Sequence, residues 1–369
     1  ASPLGLPFSR FSEVALDDRG RVAFVGTSTA IFRRTGGAIA RVIGAGDGLA
    51  GGVLAGVGAP ALGGGACLGF RAVFVNGGPA VFRRCDTHFE QIAAVGDPAP
   101  RGGAFVGFGT EVGVGPGGQL AFTALLDDAS TGLFVAALAG GVSEVARTGS
   151  AAAAGGRLTA IRLAGVSASG RVGFCGLVSA GPAGLFMWDG VQVRPLAVVN
   201  DASPGGGQFR SFGGATVNDA DTWTFRATVS GGGSAAFVPL DGVFRAQAAG
   251  PVPVFSTVVL EGDPSPLGGT FRQIPTSLVP SINASGTIAF RATLQQASAS
   301  AAVFTAAPDG QLTPVVSIGQ RIVPDMGEPE GAALRRWRQA VLRSAASLLL
   351  RATLVGGTPG LFVARDGEV

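Results

Sequence analysis

The sequence of 369 residues contains no lysine, no tyrosine and a single histidine, His88. Schiff-base chemistry at a lysine and a Walker-type phosphate loop are excluded, because both need the lysine side chain. A catalytic triad or a histidine metal site would have to use His88. We interpret His88 as a solvated turn residue, and we predict no catalytic residue, no cofactor site and no metal site.

Charged residues are also scarce, at 14% of the chain against about a quarter in typical soluble domains. The net charge is only +3, and the one basic cluster is the segment 335–338. A nucleic-acid interface needs a concentrated basic face, so we predict no nucleic-acid partner. Disorder is excluded because 47% of the residues are hydrophobic, and 62 Gly with 22 Pro argue against a helical bundle.

One uncharged segment, 48–70, is long enough to cross a bilayer. It is rich in glycine, contains Pro60 and falls in register with an internal repeat. We therefore interpret this segment as short strands and turns, and we predict no membrane span.

A repeat of about fifty residues runs through the sequence and is marked by three sets of apolar positions. The first set of anchors comprises Phe24, Phe70, Phe122, Phe174, Phe225, Phe290 and Leu350. The second set follows each of these and comprises Phe32, Phe82, Phe134, Phe186, Phe237, Phe304 and Phe362. The third set precedes the first and comprises Phe11, Val57, Phe108, Ile161, Phe212, Ile274 and Trp337. Because the three sets recur together at nearly the same spacing, the chain is predicted to contain seven copies of one structural unit.

Each copy contains four short apolar runs separated by turns rich in Gly, Asn, Asp and Pro, which is typical of a β-propeller blade. We predict an all-β fold, a seven-bladed β-propeller of four-stranded antiparallel blades in one domain. The expected blades are 1–47, 48–97, 98–149, 150–201, 202–263, 264–325 and 326–369. A β-solenoid is the rival architecture, but its rungs are much shorter. Residues 334–350 are rich in helix formers, yet their register with the other copies favours strands.

The seventh copy stops before its fourth apolar run. Its last residues, 366–369, match 309–312, after which the earlier copy continues into another apolar run. We therefore expect the last blade to lack its outer strand. A longer native chain or another subunit would supply that strand, since an open edge invites pairing. The candidate partner edge consists of Gly360, Leu361, Phe362, Val363, Ala364 and Arg365.

The segment 283–290, Asn-Ala-Ser-Gly-Thr-Ile-Ala-Phe, resembles the NxxGxxAF pattern of a bacterial tandem-repeat family of choice-of-anchor type. The Gly-Asp-Pro loops 96–100 and 262–266 resemble the same family, and the repeats are more distantly similar to those of TolB-like propellers. Members of the NxxGxxAF family are mostly secreted or surface-anchored and have no general activity. The resemblance implies a propeller fold and an extracytoplasmic location, secreted or at the cell surface, and it does not supply a catalytic site.

Cys67 and Cys85 are predicted to meet across a hairpin that turns at Asn76-Gly77. A disulfide between them is expected in an oxidising compartment, with their Cα atoms about 4.4–6.8 Å apart. Cys175 directly follows an anchor and is interpreted as a buried thiol.

Four arginines directly follow the first anchor of their repeat: Arg71, Arg226, Arg291 and Arg351. Side chains alternate along a strand, so these arginines point away from the anchor and towards the next blade. We predict that they act as structural brackets between blades. An anion-binding ring is the functional alternative, and it would need their guanidinium groups to reach the channel.

Two classes of function remain. The favoured one is a non-enzymatic extracytoplasmic propeller that acts as a structural or binding subunit, with a protein partner or self-assembly and with no small ligand specified. The alternative is a secreted propeller enzyme that acts on extracellular glycans or peptides at the central channel. The scarcity of His, Lys and Tyr favours the first class, as does the apolar composition, which suggests surface buried against partners.

Overall fold

The computed structural model describes residues 8, 11, 14–17, 20–26, 29–35, 38–63, 65, 67–230, 239–248, 250, 252–321, 334–344, 347–354 and 359–365. Every regular element in these residues is a β-strand, and they contain no helix. The strands form seven consecutive antiparallel sheets, which confirms the predicted seven-bladed β-propeller fold. The chain divides into two compact units, one up to Val198 with blades 1–4 and one from Val199 with blades 5–7. The assignment of a single domain stays a prediction.

The first unit contains blades 1–4. Blade 1 consists of β1 (Val14–Leu16), β2 (Val22–Val25), β3 (Ala30–Thr35) and β4 (Ala38–Gly44). Blade 2 consists of β5 (Gly48–Leu49), β6 (Gly52–Val57), β7 (Ala61–Leu62), β8 (Leu68–Phe74), β9 (Ala80–Cys85) and β10 (His88–Ala94). Blade 3 consists of β11 (Phe105–Val114), β12 (Leu120–Leu126), β13 (Thr131–Ala136) and β14 (Val142–Arg147). Blade 4 consists of β15 (Arg157–Val166), β16 (Val172–Ser179), β17 (Gly184–Trp188) and β18 (Val193–Val198).

The second unit contains blades 5–7. Blade 5 consists of β19 (Phe209–Val217), β20 (Thr222–Ser230), β21 (Pro239–Gln247) and β22 (Val254–Leu260). Blade 6 consists of β23 (Thr270–Gln273), β24 (Ser281–Ile282), β25 (Ile288–Gln295), β26 (Ala301–Ala306) and β27 (Leu312–Ser317). Blade 7 consists of β28 (Leu334–Ser344), β29 (Ser347–Leu354) and β30 (Pro359–Arg365).

Strand β12 illustrates why the sequence is so poor in charge. Its first three residues, Leu120, Ala121 and Phe122, are all fully buried. Consecutive side chains point to opposite faces of a strand, so both faces of the blade must be covered. Phe122 packs into a cluster that includes Val81 of blade 2, whereas Ala121 packs into a cluster that includes Phe174 of blade 4. A strand covered on both faces requires a nearly continuous apolar run.

The two anchors of a repeat pair across strands and stack. Phe122 of β12 lies opposite Phe134 of β13, and their ring centroids are 5.6 Å apart. The same stacked pair occurs in the other five blades whose anchor side chains are described: Phe24–Phe32, Phe70–Phe82, Phe174–Phe186, Phe225–Phe244 and Phe290–Phe304. Each aromatic pair adds about 0.5–1.5 kcal/mol beyond its burial, so packing accounts for the recurrence of the pair along the chain.

The second anchor of blade 5 is Phe244, and the prediction of Phe237 for this position is wrong. Phe244 pairs with Phe225 and stacks on it, whereas Phe237 lies outside the described residues. The segment between β20 and β21 is longer than in the other blades, and this extra length shifts the anchor along the chain.

Two of the seven residues predicted for innermost strands lie outside strands. Phe11 precedes β1, and Ile274 follows β23. In blade 6 the innermost strand is interrupted, because β23 and β24 both pair with β25 and leave Ile274 between them. Ile274 is nevertheless fully buried, so it fills the core without contributing to the ladder. The other five predicted residues lie in innermost strands as expected: Val57, Phe108, Ile161, Phe212 and Trp337.

Blade 7 has three strands, as predicted, in the part of the chain that the structure describes. The segment with high helix propensity forms β28 and part of β29, which pair from Leu334↔Leu354 to Ser344↔Ser347. Strand β30 pairs with β29 along one edge. Among the described strands, none pairs with the other edge of β30.

A hydrogen-bonded turn precedes the innermost strand of each of blades 2 to 7. Between blades 2 and 3, the Gly96 N–H donates to the Phe105 carbonyl (2.8 Å), and the Phe105 N–H donates to the Asp97 carbonyl (3.0 Å). The Asp97 carboxylate also accepts from the Ala94 N–H (2.7 Å). Equivalent pairs of backbone bonds end at Leu54, Phe105, Leu158, Phe209, Phe271 and Leu334. We call this element the Gly-Asp turn, and its aspartates brace the scaffold.

Candidate functional site

In a repeat fold, positions that are occupied alike in every blade support the scaffold, whereas a local departure is a candidate for function. One such departure surrounds a cavity of about 250 Å³ between blades 3 and 4, both in the first unit. We call this cavity the blade 3–4 pocket. Its polar and aromatic lining includes Arg101, Glu144, Arg147, Trp188 and Gln192, and its apolar floor includes Val145, Leu158, Phe174 and Phe186.

Two strands, a turn and a loop position the polar side chains of the pocket. Glu144 and Arg147 lie on β14 of blade 3, and Arg101 lies in the loop before β11. Trp188 is the last residue of β17 in blade 4, and Gln192 lies in the turn between β17 and β18. These residues come from segments far apart in the sequence, and only blade packing brings them together.

An ion pair between Glu144 and Arg147 forms one wall of the pocket. Arg147 Nε and Nη2 donate to Glu144 Oε2 at 3.0 and 2.7 Å. Arg147 Nη2 also donates to the carbonyls of Gly102 (3.0 Å) and Pro100 (3.3 Å), so the guanidinium is held in place. The two side chains are only 7% and 17% exposed for Glu144 and Arg147. Among the described residues, no hydrogen-bond donor contacts Glu144 Oε1, so the acceptor capacity of this oxygen is unused there.

The turn that carries Gln192 is fixed by Asp189. Asp189 Oδ1 accepts from the backbone N–H groups of Gln192 (3.0 Å) and Val191 (3.1 Å), and these bonds lower the pKa of the carboxyl. With its amide oxygen turned towards Arg194, Gln192 accepts from Nη2 (2.8 Å) and Nε (3.2 Å) of that arginine. The Gln192 NH₂ group is then left as a donor at the pocket.

Arg147 and Trp188 occupy positions that hold other residues in the remaining blades. On the neighbouring strand, Arg147 pairs with Gly132, which lies two residues before the second anchor Phe134. In the other blades with a described fourth strand, the residues at this position are Gly44, Ala94, Val198, Leu260 and Ser317. The residues equivalent to Trp188 are Arg34, Arg84, Ala136, Ala246, Ala306 and Ala364. Since these other blades form without the ion pair and the indole, the fold does not require them.

Two arginines outside the predicted set connect neighbouring blades. The first is Arg83 of β9, which is 1% exposed. Its Nη1 donates to the carbonyls of Gly118 (2.9 Å) and Ala137 (3.0 Å) in blade 3, and its Nη2 donates to that of Leu138 (3.1 Å). Its Nη2 also lies 2.6 Å from Glu90 Oε2 in its own blade. Arg83 therefore ties blade 2 to the backbone of blade 3.

Arg245 of β21 makes the equivalent contacts between blades 5 and 6. It donates to the carbonyls of Gly286 (3.0 Å), Ala307 (3.2 Å) and Pro308 (2.8 Å). Both arginines directly follow a second anchor, Phe82 or Phe244. That sequence signal would have identified them as inter-blade brackets.

The four arginines predicted to connect blades occupy a different repeat position from Arg83 and Arg245, because they follow the first anchor and not the second. Arg226 Nη2 is 2.5 Å from Asp241 Oδ1 within blade 5, and Arg291 Nη2 donates to Ser277 Oγ (3.0 Å) within blade 6. Burial lowers the pKa of Arg291. Arg71 on β8 and Arg351 on β29 occupy the same repeat position as Arg226 and Arg291, directly after the first anchor. Their inter-blade role stays a prediction.

Cys67 and Cys85 form a disulfide whose Cα atoms are 4.2 Å apart, slightly closer than the predicted range. Cys85 ends β9 and Cys67 directly precedes β8, so the disulfide links these two strands at the end of their hairpin opposite the turn. Cys175 lies on β16, and burial raises the pKa of its thiol to about 11.

His88 is exposed and begins β10, on the outer strand of blade 2. In the described ranges, no group of three or more His, Cys, Asp or Glu side chains is placed to hold a metal ion. None of the chain's described segments forms a helix that is long and apolar enough to cross a membrane.

The fold is similar to several solved structures. TolB from Acinetobacter baumannii shares 13% identity and a TM-score of 0.43, with 82% of this chain and 62% of TolB covered, so the chain spans less than two thirds of TolB. The BP39L lectin from Burkholderia pseudomallei shares 14% identity and a TM-score of 0.45, with 98% of each chain covered. The polysaccharide lyase Uly1 shares 9% identity and a TM-score of 0.47, with 100% of this chain and 91% of the lyase covered.

No curated protein matches the sequence. Membership of the NxxGxxAF family stays a prediction. A model of a family of unknown function, DUF7453, matches residues 1–153 and 126–348. Since these two overlapping matches span most of the sequence, the chain belongs to the DUF7453 family.

Proposed function

We propose that this protein is a non-enzymatic, extracytoplasmic binding protein that holds a small amphipathic ligand in the blade 3–4 pocket. The observation that carries the proposal is a cavity of about 250 Å³ in which the indole of Trp188 and the Glu144–Arg147 ion pair line the same space. Neither feature recurs at the equivalent positions described in the other blades, so neither is explained by the scaffold.

The lining of the pocket has the mixed chemistry of a ligand site. Its floor includes the buried rings of Phe174 and Phe186, which favour an apolar ligand surface. A few polar groups at fixed positions then set the orientation of the ligand, as in most small-molecule sites. A largely buried ion pair contributes little net stability compared with apolar side chains, so a binding role accounts better for Glu144 and Arg147.

The pocket chemistry supports binding more than turnover. The Glu144 carboxylate is held by Arg147, and the one hydroxyl in the lining belongs to Ser150. Ser150 Oγ donates to the Arg147 carbonyl at 2.5 Å. A serine nucleophile needs an adjacent base, and the lining of this pocket contains no histidine.

The Cys67–Cys85 disulfide supports an extracytoplasmic location. Structural disulfides form and persist in oxidising compartments and are rare in the cytosol. The resemblance to NxxGxxAF repeats, in segments such as 283–290, points to the same location.

Fluorescence of Trp188 tests the binding proposal directly. The sequence has three tryptophans, Trp188, Trp223 and Trp337, and Trp188 is the one that lines the pocket, so quenching by a ligand in the pocket should depend on Trp188. We expect a library of small polar-aromatic and polar-aliphatic compounds to contain ligands that change the emission of the intact chain. The Trp188→Phe variant should lose the signal while keeping its circular dichroism spectrum.

Conversion of a ligand that binds this pocket, measured by mass spectrometry of the reaction mixture, would favour the enzyme alternative. A library with no ligand for the pocket would overturn the binding proposal.

We also propose that the edge of β30 that no described strand covers, residues 360–365, pairs with a further strand. An unpaired strand edge presents a row of backbone donors and acceptors that favours strand addition. Hydrogen exchange of the intact protein should show protected amides in this edge. Light scattering then assigns the pairing strand to the same chain in a monomer or to a partner in an assembly. Rapid exchange throughout 360–365 would contradict the pairing.

A further inference from the structure

We infer that the ligand of the blade 3–4 pocket is a single neutral pyranose residue of a glycan. This inference rests on the proposed binding function and adds the class of ligand. The cavity of about 250 Å³ is slightly smaller than typical sites for drug-sized molecules, which begin at about 300 Å³. It therefore suits one substituted six-membered ring better than an extended peptide.

The apolar part of the pocket matches one face of such a ring. Trp188 offers a large rigid surface with a polar N–H at its edge, and it is only partly buried. Leu158 and Val193 extend the apolar surface beside it. A pyranose has a face of C–H groups and an edge of hydroxyls, so it can bury the face against the indole while the edge stays hydrogen-bonded.

The polar part of the pocket requires a ligand that both donates and accepts hydrogen bonds. Glu144 has one carboxylate oxygen without a donor among the described residues, and Arg101 and Gln192, whose side chains carry N–H donors, line the same cavity. A hydroxyl group is at once a donor and an acceptor, so neighbouring sugar hydroxyls satisfy both kinds of group. A ligand with only one kind of group would leave part of the lining unpaired, which costs binding energy.

The charges of the pocket disfavour a strongly anionic ligand. Arg147 is already committed to Glu144 and to two backbone carbonyls. Arg101 is therefore the lining cation that would have to neutralise an anionic ligand, and the Glu144 carboxylate would repel that ligand. Placing a like charge beside a ligand is a common way to reject the wrong class. A phosphate or sulfate therefore fits less well than a neutral sugar.

The lining of the pocket reaches the protein surface at Val191, which allows the sugar to belong to a longer glycan. Val191 at the rim is 87% exposed, and the adjoining turn at Asp189 is fixed by hydrogen bonds. A glycosidic bond can leave past this rim without displacing the protein backbone. The pocket would then bind one sugar residue of the glycan, and the next sugar would lie in solvent beyond the rim.

The test uses the intact chain on an array of glycans, followed by calorimetric titration with methyl glycosides of neutral hexoses, deoxyhexoses and hexuronic acids. We expect at least one neutral methyl glycoside to bind and to change Trp188 fluorescence. Trp188→Ala and Glu144→Ala should each weaken that binding by at least tenfold. Glu90→Ala is the matched control, because Glu90 forms a similar ion pair with Arg83 outside the pocket and should leave the affinity unchanged.

The outcomes separate the ligand class from the binding function. If no glycan binds but another small molecule changes Trp188 fluorescence, the sugar assignment is overturned and the pocket remains a binding site. If a glycan binds equally well to folded Trp188→Ala and Glu144→Ala variants, the sugar site lies elsewhere and the inference fails. If neither sugars nor other compounds bind the pocket, both the inference and the proposed function fall.

Discussion

Replacing Arg83 with alanine tests whether adjacent blades are held together by one buried guanidinium. The side chain is 1% exposed and donates to three carbonyls of blade 3, those of Gly118, Ala137 and Leu138. In the Arg83→Ala protein all three carbonyls lose this donor; Gly118 is buried, whereas Ala137 and Leu138 are exposed and their carbonyls can be hydrated. The substitution also removes the partner of Glu90, whose side chain is 45% exposed and can be hydrated.

The hydrogen bonds that are lost set the size of the effect. Three hydrogen bonds to a charged donor, at about 1.5 kcal/mol each, give about 4.5 kcal/mol. Water can replace the donor at the exposed Ala137 and Leu138, so the net loss is smaller than this sum. The exposed Glu90 adds less than about 1 kcal/mol. We therefore expect Arg83→Ala to lower the free energy of unfolding by about 3 kcal/mol.

Urea denaturation followed by circular dichroism and by tryptophan fluorescence measures this change. Arg84→Ala is the matched control, since Arg84 is the next residue of the same strand and its Nε has no hydrogen-bond partner in the described part of the chain. Its guanidinium carbon lies 5.2 Å from the centroid of the Phe89 ring, a contact that contributes about 0.5–1 kcal/mol at exposed sites. If the two variants lose equal stability, the three carbonyl bonds do not hold the junction and the reasoning is refuted. Arg83→Lys should recover only part of the loss, because an ammonium group lacks the planar fork of guanidinium donors.

Three further changes probe other parts of the scaffold. Replacing Cys67 and Cys85 with serine should lower the free energy of unfolding by about 3 kcal/mol, because the disulfide closes a loop with a sequence separation of 18. Denaturation of the native protein and of the double variant, with and without reductant, measures this loss. Burial raises the pKa of the Cys175 thiol from 9.0 to about 11, so the unfolded chain loses this proton first as the pH rises. Stability should therefore decline between about pH 9 and 11, and a Cys175→Ala protein that declines equally would disprove the cause. Gly96 has a φ of +97°, and Gly96→Ala should cost about 1–2 kcal/mol in a thermal melt. Gly48, whose added Cβ would also meet nothing within 4 Å, should accept alanine with little loss.

The repeat predicts the fold well because its anchors report a local and periodic requirement. A Phe in β12 and a Phe in β13 must stack between two neighbouring blades, so the same pair recurs wherever a blade occurs. The error at Phe237 shows the limit of this logic. Where the connection between two strands is longer, a second Phe in a similar small-residue context competes for the position, and only the strand pairing of Phe244 identifies the correct one.

The blade 3–4 pocket could not be predicted in the same way. Glu144 and Trp188 belong to different repeats and meet only through blade packing. Periodicity selects the features that the blades share, whereas this pocket consists of features that they do not share. A comparison of the seven copies for departures would have singled out Trp188, which stands where four other blades carry alanine. It would not have shown that Arg101 lies beside it, because a loop position is not fixed by the repeat.

The Gly-Asp turn has a consequence for how such a chain can change by duplication. Its two connecting bonds join main-chain atoms, and they persist where Ser150 or Gln320 replaces the aspartate. Any blade inserted with its own preceding turn therefore carries the donors and acceptors that connect it to its neighbour, whatever its side chains. A transplanted blade would need new complementarity only at the packed faces around its stacked phenylalanines. Exchange of whole blades between homologous chains is thus a practical route to moving a pocket such as that between blades 3 and 4 into another scaffold.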